Sequence, residues 1–293
     1  MFPADHEIHC LSEPDGRRFL TSLVLALSLA ILSGVPETRA DSLDEAWTLA
    51  RKLNFSAANA MLDGLEPVAT GDRERINFAR ALTLLGVQPR SARKVEEAYR
   101  LFGKVVDSGI SGEILPWAIY YRARIDQAHR ADPDFARAAE QYRSLVQGFP
   151  AQVPAQVGFV KLAILRLYVL QEGVSRAAVL ADLESASAFL NIPVALRDYH
   201  ATMADAYLFY DLDKEKALVH LIKAHEQGSL TIIDTGGQMA RIGNLAYHLK
   251  RWDIAKQYYR EFIETNPDAG TVYLLRERLT EIETADASIV DRQ

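Results

Sequence analysis

Few residues in this sequence stand where chemistry would need them. His6, His9 and Cys10 are metal-ligand types at close spacing, but they precede the apolar run Phe19 to Leu32 in what reads as a leader. His220 and His225 are five apart, which on a helix turns them to different faces, poor geometry for a shared metal. Asp211, Asp213 and Glu215 alternate as calcium ligands do. They lack the glycine and the distant glutamate of a hand-type loop, so they read as a polar turn that caps the next helix. There is no G-x-S-x-G, no H-E-x-x-H and no phosphate-binding glycine loop; Gly236-Gly237 reads as a helix break. The expectation is a protein that is not an enzyme and that uses no metal and no cofactor.

Composition supports this. With 293 residues, 49% hydrophobic and 25% charged, the chain can bury an ordinary core, and a formal charge of −6 argues against a nucleic-acid partner. A single cysteine excludes a disulfide framework. Arg73, Arg75, Arg80, Arg90, Arg93, Lys94 and Arg100 form a locally basic stretch that would suit an acidic partner or lipid headgroups. Asp72, Glu74, Glu96 and Glu97 are interleaved with it, which favours a solvated helix surface laced with pairs.

At the N-terminus, Arg17-Arg18, the apolar run and Thr38-Arg39-Ala40 follow the order of charged region, apolar region and small-residue cleavage site. Residues 1–40 are therefore read as a signal peptide, and a periplasmic or secreted location follows. The run is short against the roughly 20 residues that span a bilayer. The alternative keeps it uncleaved as an inner-membrane anchor with the rest facing the periplasm, and only then is a membrane a partner.

The elements that would position any site are helices. From Asp41 onward, apolar residues recur at helical spacing and no stretch alternates with period two long enough for a sheet. Ala58, Ala98, Ala138, Ala178, Ala217 and Ala255 each follow a turn-like segment and open an amphipathic stretch, at spacings of 40, 40, 40, 39 and 38. Such regularity means repeated helix pairs. In the second unit the extra residues are placed in the turn around Gly86 to Arg90.

The last unit, Met239 to Pro267, carries Ile242-Gly243-x2-Ala246, a turn at Lys250 to Trp252, then Ala255-x3-Tyr259-x2-Phe262 and Pro267. In this pattern it resembles a tetratricopeptide repeat. Gly243 and Ala255 are small where two antiparallel helices approach, Tyr259 and Phe262 fill the gap between pairs, and Pro267 stops the second helix. In the unit before it, Asp205 stands where that pattern has glycine. The resemblance implies an all-α fold: a right-handed α-α superhelix of about six helix pairs over residues 41–283, closed by a capping helix from Thr271 to Ile282, with a frayed tail at 284–293. It also implies an exported envelope type, since the Ala138 to Pro150 segment is similar to helix endings of envelope proteins of this family.

Members of the family bind peptides on the concave face made by the first helix of each pair. Projected onto this sequence, that face holds Arg241, Asn244, Tyr247 and His248 from the last repeat, and Tyr199, Thr202, Phe209 and Tyr210 from the one before. The fourth adds Val160, Leu167 and Tyr168. Arg241 and Asn244 are similar to part of a clamp for a peptide carboxylate, without the full set of Lys and Asn on adjacent repeats. The function implied is a protein-protein interaction module, an adaptor or assembly factor of the cell envelope. The alternatives are a membrane-anchored scaffold and an enzyme or regulator of a cell-wall enzyme.

Overall fold

The computed structural model describes residues 37–290 apart from 53, 68–70 and 229–231, and within it the side chains of 37–41, 47, 51, 232–234 and 285–290 are left aside. The apolar run Phe19 to Leu32 and the ligand types His6, His9 and Cys10 lie outside the described residues. Among those described there is no strand, and no helix is long and apolar enough to cross a membrane.

Among the described residues thirteen α-helices follow one another. The first unit, up to Gln141, holds α1 (Glu37–Arg51), α2 (Phe55–Asp63), α3 (Asp72–Gly86), α4 (Ala92–Asp107) and α5 (Ile114–Arg124), the last continued by a π turn, Ile125–His129. Helix α6 (Phe135–Gly148) runs across the boundary. The second unit holds α7 (Val153–Ile164), continued by a π turn at Leu165–Val169, then α8 (Arg176–Ala186), α9 (Pro193–Phe209), α10 (Lys214–Glu226), α11 (Ile232–His248), α12 (Trp252–Thr265) and α13 (Val272–Val290). Consecutive helices pack as hairpins, α3 on α4, α9 on α10 and α11 on α12 most extensively.

The second helix of the first five pairs starts in one way. Asn54, Ser91, Asp134, Ser175 and Asp213 each accept, through a side-chain oxygen, the backbone N–H three residues on. Such a cap satisfies one of the orphan donors at a helix start and contributes about 1 kcal/mol. The calcium-like reading of Asp213 is thereby resolved as the capping turn. Arg251, which opens α12, makes no side-chain cap.

One residue into the first full turn, four beyond the cap, each of these helices buries a small or branched apolar side chain: Ala58, Val95, Ala138, Val179, Ala217 and Ala255. This corrects the sequence register twice. Ala178 is exposed and Val179 beside it is 1% exposed, so the fourth repeat is one residue longer than the alanine spacing implies. In the second repeat Ala98 is buried but lies a turn later, because Ser91 starts α4 early; part of the extra length is helix rather than loop.

A third correction concerns the small position of the first helices. The hairpins α9/α10 and α11/α12 both turn through a residue with positive φ, Asp211 at 47° and Lys250 at 58°. Seven residues before each stand Ala204 and Gly243, both buried. Asp205 therefore matches Asn244, and the glycine position of that repeat holds Ala204, displaced from the expected place by a turn one residue longer. Gly243 is needed because a Cβ there would lie 2.6 Å from the Tyr259 ring. Gly236-Gly237, read as a break, is interior to α11. The last helix continues to Val290, past the predicted end at residue 282.

The first unit packs Phe78, Phe102 and Trp117 around Tyr121, whose ring stacks on Phe102 at 5.5 Å. In the second, Met239, Ile242, Tyr258, Tyr259, Phe262, Leu275 and Ile282 form one apolar cluster, so α13 covers the end of the last hairpin as a capping helix.

Candidate ligand-binding face

Every residue projected onto the face lies in the second unit, on α7 and its π turn, on α9 and the Tyr210 that follows it, and on α11. On α9, Asp198, Thr202, Asp205 and Phe209 follow one another at intervals of four, three and four, so they line one stripe of the helix. None is buried, and Phe209 is 62% exposed. The hydroxyl of Thr202 turns back to donate to the Asp198 carbonyl at 2.8 Å.

Phe209 belongs to an aromatic group. Its ring meets Tyr168 edge-on at 5.7 Å and Tyr210 at 4.9 Å, while Tyr168 and Tyr210 stack at 6.0 Å. Two anchors hold the group. The Tyr210 hydroxyl donates to the Leu167 carbonyl at 2.5 Å. Arg176, from the start of α8, donates to the carbonyls of Arg166 and Leu170 and lies 5.8 Å from the Tyr210 ring centre. The π turn thus ends on a guanidinium that satisfies its free carbonyls, and this fixes Tyr168 at its tip. Burial, and then the Asp205 carboxylate, push the Tyr168 hydroxyl up, so it stays protonated.

Next to the aromatics, Arg241 of α11 pairs with Asp205 of α9, both about half exposed. Beyond it the polar residues are tied to the capping helix. Asn244 Oδ1 accepts from the Tyr259 hydroxyl at 3.0 Å and from Arg278. The Arg278 guanidinium lies 5.1 Å from the Tyr247 ring centre, the Tyr247 hydroxyl donates to Glu281, and His248 stands exposed beside Tyr247 at 5.7 Å. The clamp-like pair of Arg241 and Asn244 is therefore engaged within the protein.

Three of the projected residues are not on the face. Tyr199 is 2% exposed, packs on Phe159 and donates to the Leu183 carbonyl at 3.2 Å; burial raises its hydroxyl to about 12. Val160 and Leu167 are likewise buried. The error is rotational: a helix presents about a third of its residues to each side, and the apolar pattern alone did not separate the outer edge of α9 from its buried one.

Sequence reasoning missed two polar clusters. In the first unit Asp126, at 0% exposure, accepts from Arg137 at 2.7 and 2.9 Å, Gln141 at 2.7 Å and the Tyr99 hydroxyl at 3.2 Å, and pairs with Arg130 at 3.1 Å. The guanidinium carbons of Arg122, Arg130 and Arg137 lie 4.2 to 5.5 Å from the Tyr99 ring centre. In the second unit His200 meets His220 at 2.9 Å. A signal for the latter existed: residues 200 and 220 lie on opposite sides of the α9/α10 turn about two to three helical turns from it, and antiparallel helices bring such residues near one another. Within the basic stretch, Arg100 pairs with the interleaved Glu97 at 2.5 Å, whereas Arg80 pairs with Asp63 of α2 and Arg90 and Lys94 donate to backbone carbonyls. Arg73, Arg80 and Lys104 line an open polar depression of about 650 Å³ together with Asp63, Glu66, Glu74 and Asp107. Among the described residues no three metal-ligand side chains come together.

No family model matches this chain, and no curated protein matches it in sequence. Among solved structures it is similar to a thermophilic tetratricopeptide-repeat protein of Thermus thermophilus, at 17% identity and a TM-score of 0.38, over 72% of this chain and 99% of the other. It is also similar to the assembly chaperone of RpL4 (Acl4, residues 1–338), at 12% identity and a TM-score of 0.48, over 85% and 99%. Each unit is all-helical and built of repeated helix hairpins, with a small residue under an aromatic ring in the last of them and a capping helix behind it, the architecture that the resemblance of the last repeat to a tetratricopeptide repeat implies.

Proposed function

We propose that this is a protein-protein interaction module that holds a segment of another protein on the α9/α11 face of its second unit, acting as an adaptor or assembly factor of the bacterial cell envelope. The observation that carries the reading is Phe209, a large apolar side chain left mostly in water although Tyr168 and Tyr210 are arranged around it. A rigid aromatic group beside an exposed ion pair offers an apolar anchor and a polar rim, the anatomy of a contact surface. Export rests on the charged, apolar and small-residue order of residues 17–40. An uncleaved run would make the same module a membrane-tethered scaffold.

The test is crosslinked capture from envelope extract with the purified protein, against a Phe209→Ser/Tyr168→Ser variant. Specific capture by the parent, lost by a variant with an unchanged melting curve, supports the face; equal capture by both places the contact elsewhere. Mass spectrometry of the protein isolated from cells separates secretion, with residues 1–40 gone, from anchoring.

A further inference from the structure

Inside the α9/α10 hairpin, Nδ1 of His200 lies 2.9 Å from Nδ1 of His220. Two imidazoles in this arrangement share one proton. His220 Nε2 faces Glu184 Oε1 at 3.5 Å, so the tautomer that donates there leaves the His220 Nδ1 bare, and His200 supplies the N–H between the rings. One added proton charges one ring and still leaves a single N–H between them, provided the neutral ring carries its own proton on Nε2; charging both rings aims two N–H bonds and two positive charges at each other across 2.9 Å.

The surrounding charges do not relieve that conflict. Glu184 of α8 is already shared, accepting from the Tyr207 hydroxyl at 2.6 Å and from Lys216 at 2.9 Å. Lys223 of α10 adds a further positive charge that acts on both rings, and Lys216 acts on His220. Tyr199 and Tyr207 of α9 flank the rings with protonated hydroxyls. From α7 the neighbour is Phe159, on Tyr199, and the α11 residues clustered with Leu218 and Leu221 of α10 are Met239, Ile242 and Ala246, none of them titratable. Burial, with the neighbouring positive charge, lowers His200 to about 4 and lowers His220 as well.

We propose that the His200–His220 contact is an acid-sensitive latch: with a single N–H between the rings it closes α9 on α10, and charging both rings parts them and loosens the hairpin. Because α9 also carries Asp205 and Phe209, opening would release a segment held on that face. This last step rests on the function proposed above; the latch itself does not.

The deciding experiment follows the histidine ring nitrogens and the backbone amides of the full chain by NMR while pH is lowered from about 7 to about 4.5, below the ordinary imidazole value of about 6.5. The expected result is that His200 and His220 take up protons below the ordinary imidazole value and that amide exchange in residues 193–226, corrected for its intrinsic rate, accelerates by about tenfold or more as pH falls below about 6.5. In His200→Gln, whose amide donates to His220 without titrating, that acceleration disappears. Titration of both rings near the ordinary value with unchanged exchange overturns the latch, as does the same acceleration in a folded His200→Gln. If the variant fails to fold, the parent titration alone decides. Capture at pH 7 by Phe209→Ser separates the two ideas: retained capture with a cooperative titration leaves the latch standing and removes the proposed face.

Discussion

Asp126 shows what one residue holds together. Its carboxylate is out of water, and the cost of desolvation is offset by two arginines, a glutamine and a tyrosine that converge on it from α4, α5's π turn and α6. Replacing it by asparagine keeps the volume and removes the charge, which leaves Arg130 and Arg137 only their more exposed partners, Glu96 and Asp134, while Tyr99 remains between them. We expect Asp126→Asn to lower stability by roughly 3 kcal/mol, read as a shift in the urea midpoint at unchanged slope, because breaking one side of a buried pair costs more than the pair is worth. Gly243→Ala is the opposite case, a single added methyl. Tyr259, which it would strike, is fixed by Asn244 and Arg278 and has no room to swing away. Overpacking of this kind costs about 1–3 kcal/mol, and a thermal melt of the variant measures it.

At the scale of the helix, the sequence was legible wherever a local rule acts within four or five residues. Asp213 announces α10 by its type and position, and the buried alanines at 58, 138, 217 and 255 announce their helices by period. What could not be read is anything that depends on counting through a turn. One additional residue near Asp211 moves the small position from Asp205 to Ala204, and another before Ser175 moves the buried one from Ala178 to Val179. The candidate face suffered for the same reason, since a rotation of one residue decides whether an aromatic ring meets water, like Phe209 beside Tyr210, or the core, like Tyr199. The corrected register makes its own prediction. Val179→Ala removes buried methyl groups and should cost about 1–2 kcal/mol, whereas Ala178→Ser, on the exposed side, should leave the melting temperature within the error of a calorimetric scan.

For the molecule as a whole, the histidines set the expected response to acid. His129 of the first unit is lowered to about 4 by burial and by the guanidinium charges of Arg124 and Arg90, the latter 3.1 Å from its ring nitrogen; His200 and His220 of the second are lowered by burial and by positive neighbours. Each is neutral when folded and takes a proton near pH 6.5 when unfolded. Where the unfolded chain binds more protons, lowering the pH favours it. The contribution of these groups is therefore fully present above about pH 6.5 and is lost as pH falls toward 4, through the folded values. Both units carry such a group, so both should weaken over the same window even if they unfold separately. Calorimetric scans at intervals of half a pH unit should show a melting temperature that is level from about pH 7.5 to 6.5 and then declines steadily. His129→Gln should flatten the decline for the first unit only, and His200→Gln for the second only, with the segments told apart by hydrogen exchange. A decline that sets in only below about pH 4, where carboxylates titrate, would assign acid sensitivity to the salt bridges and remove it from the histidines.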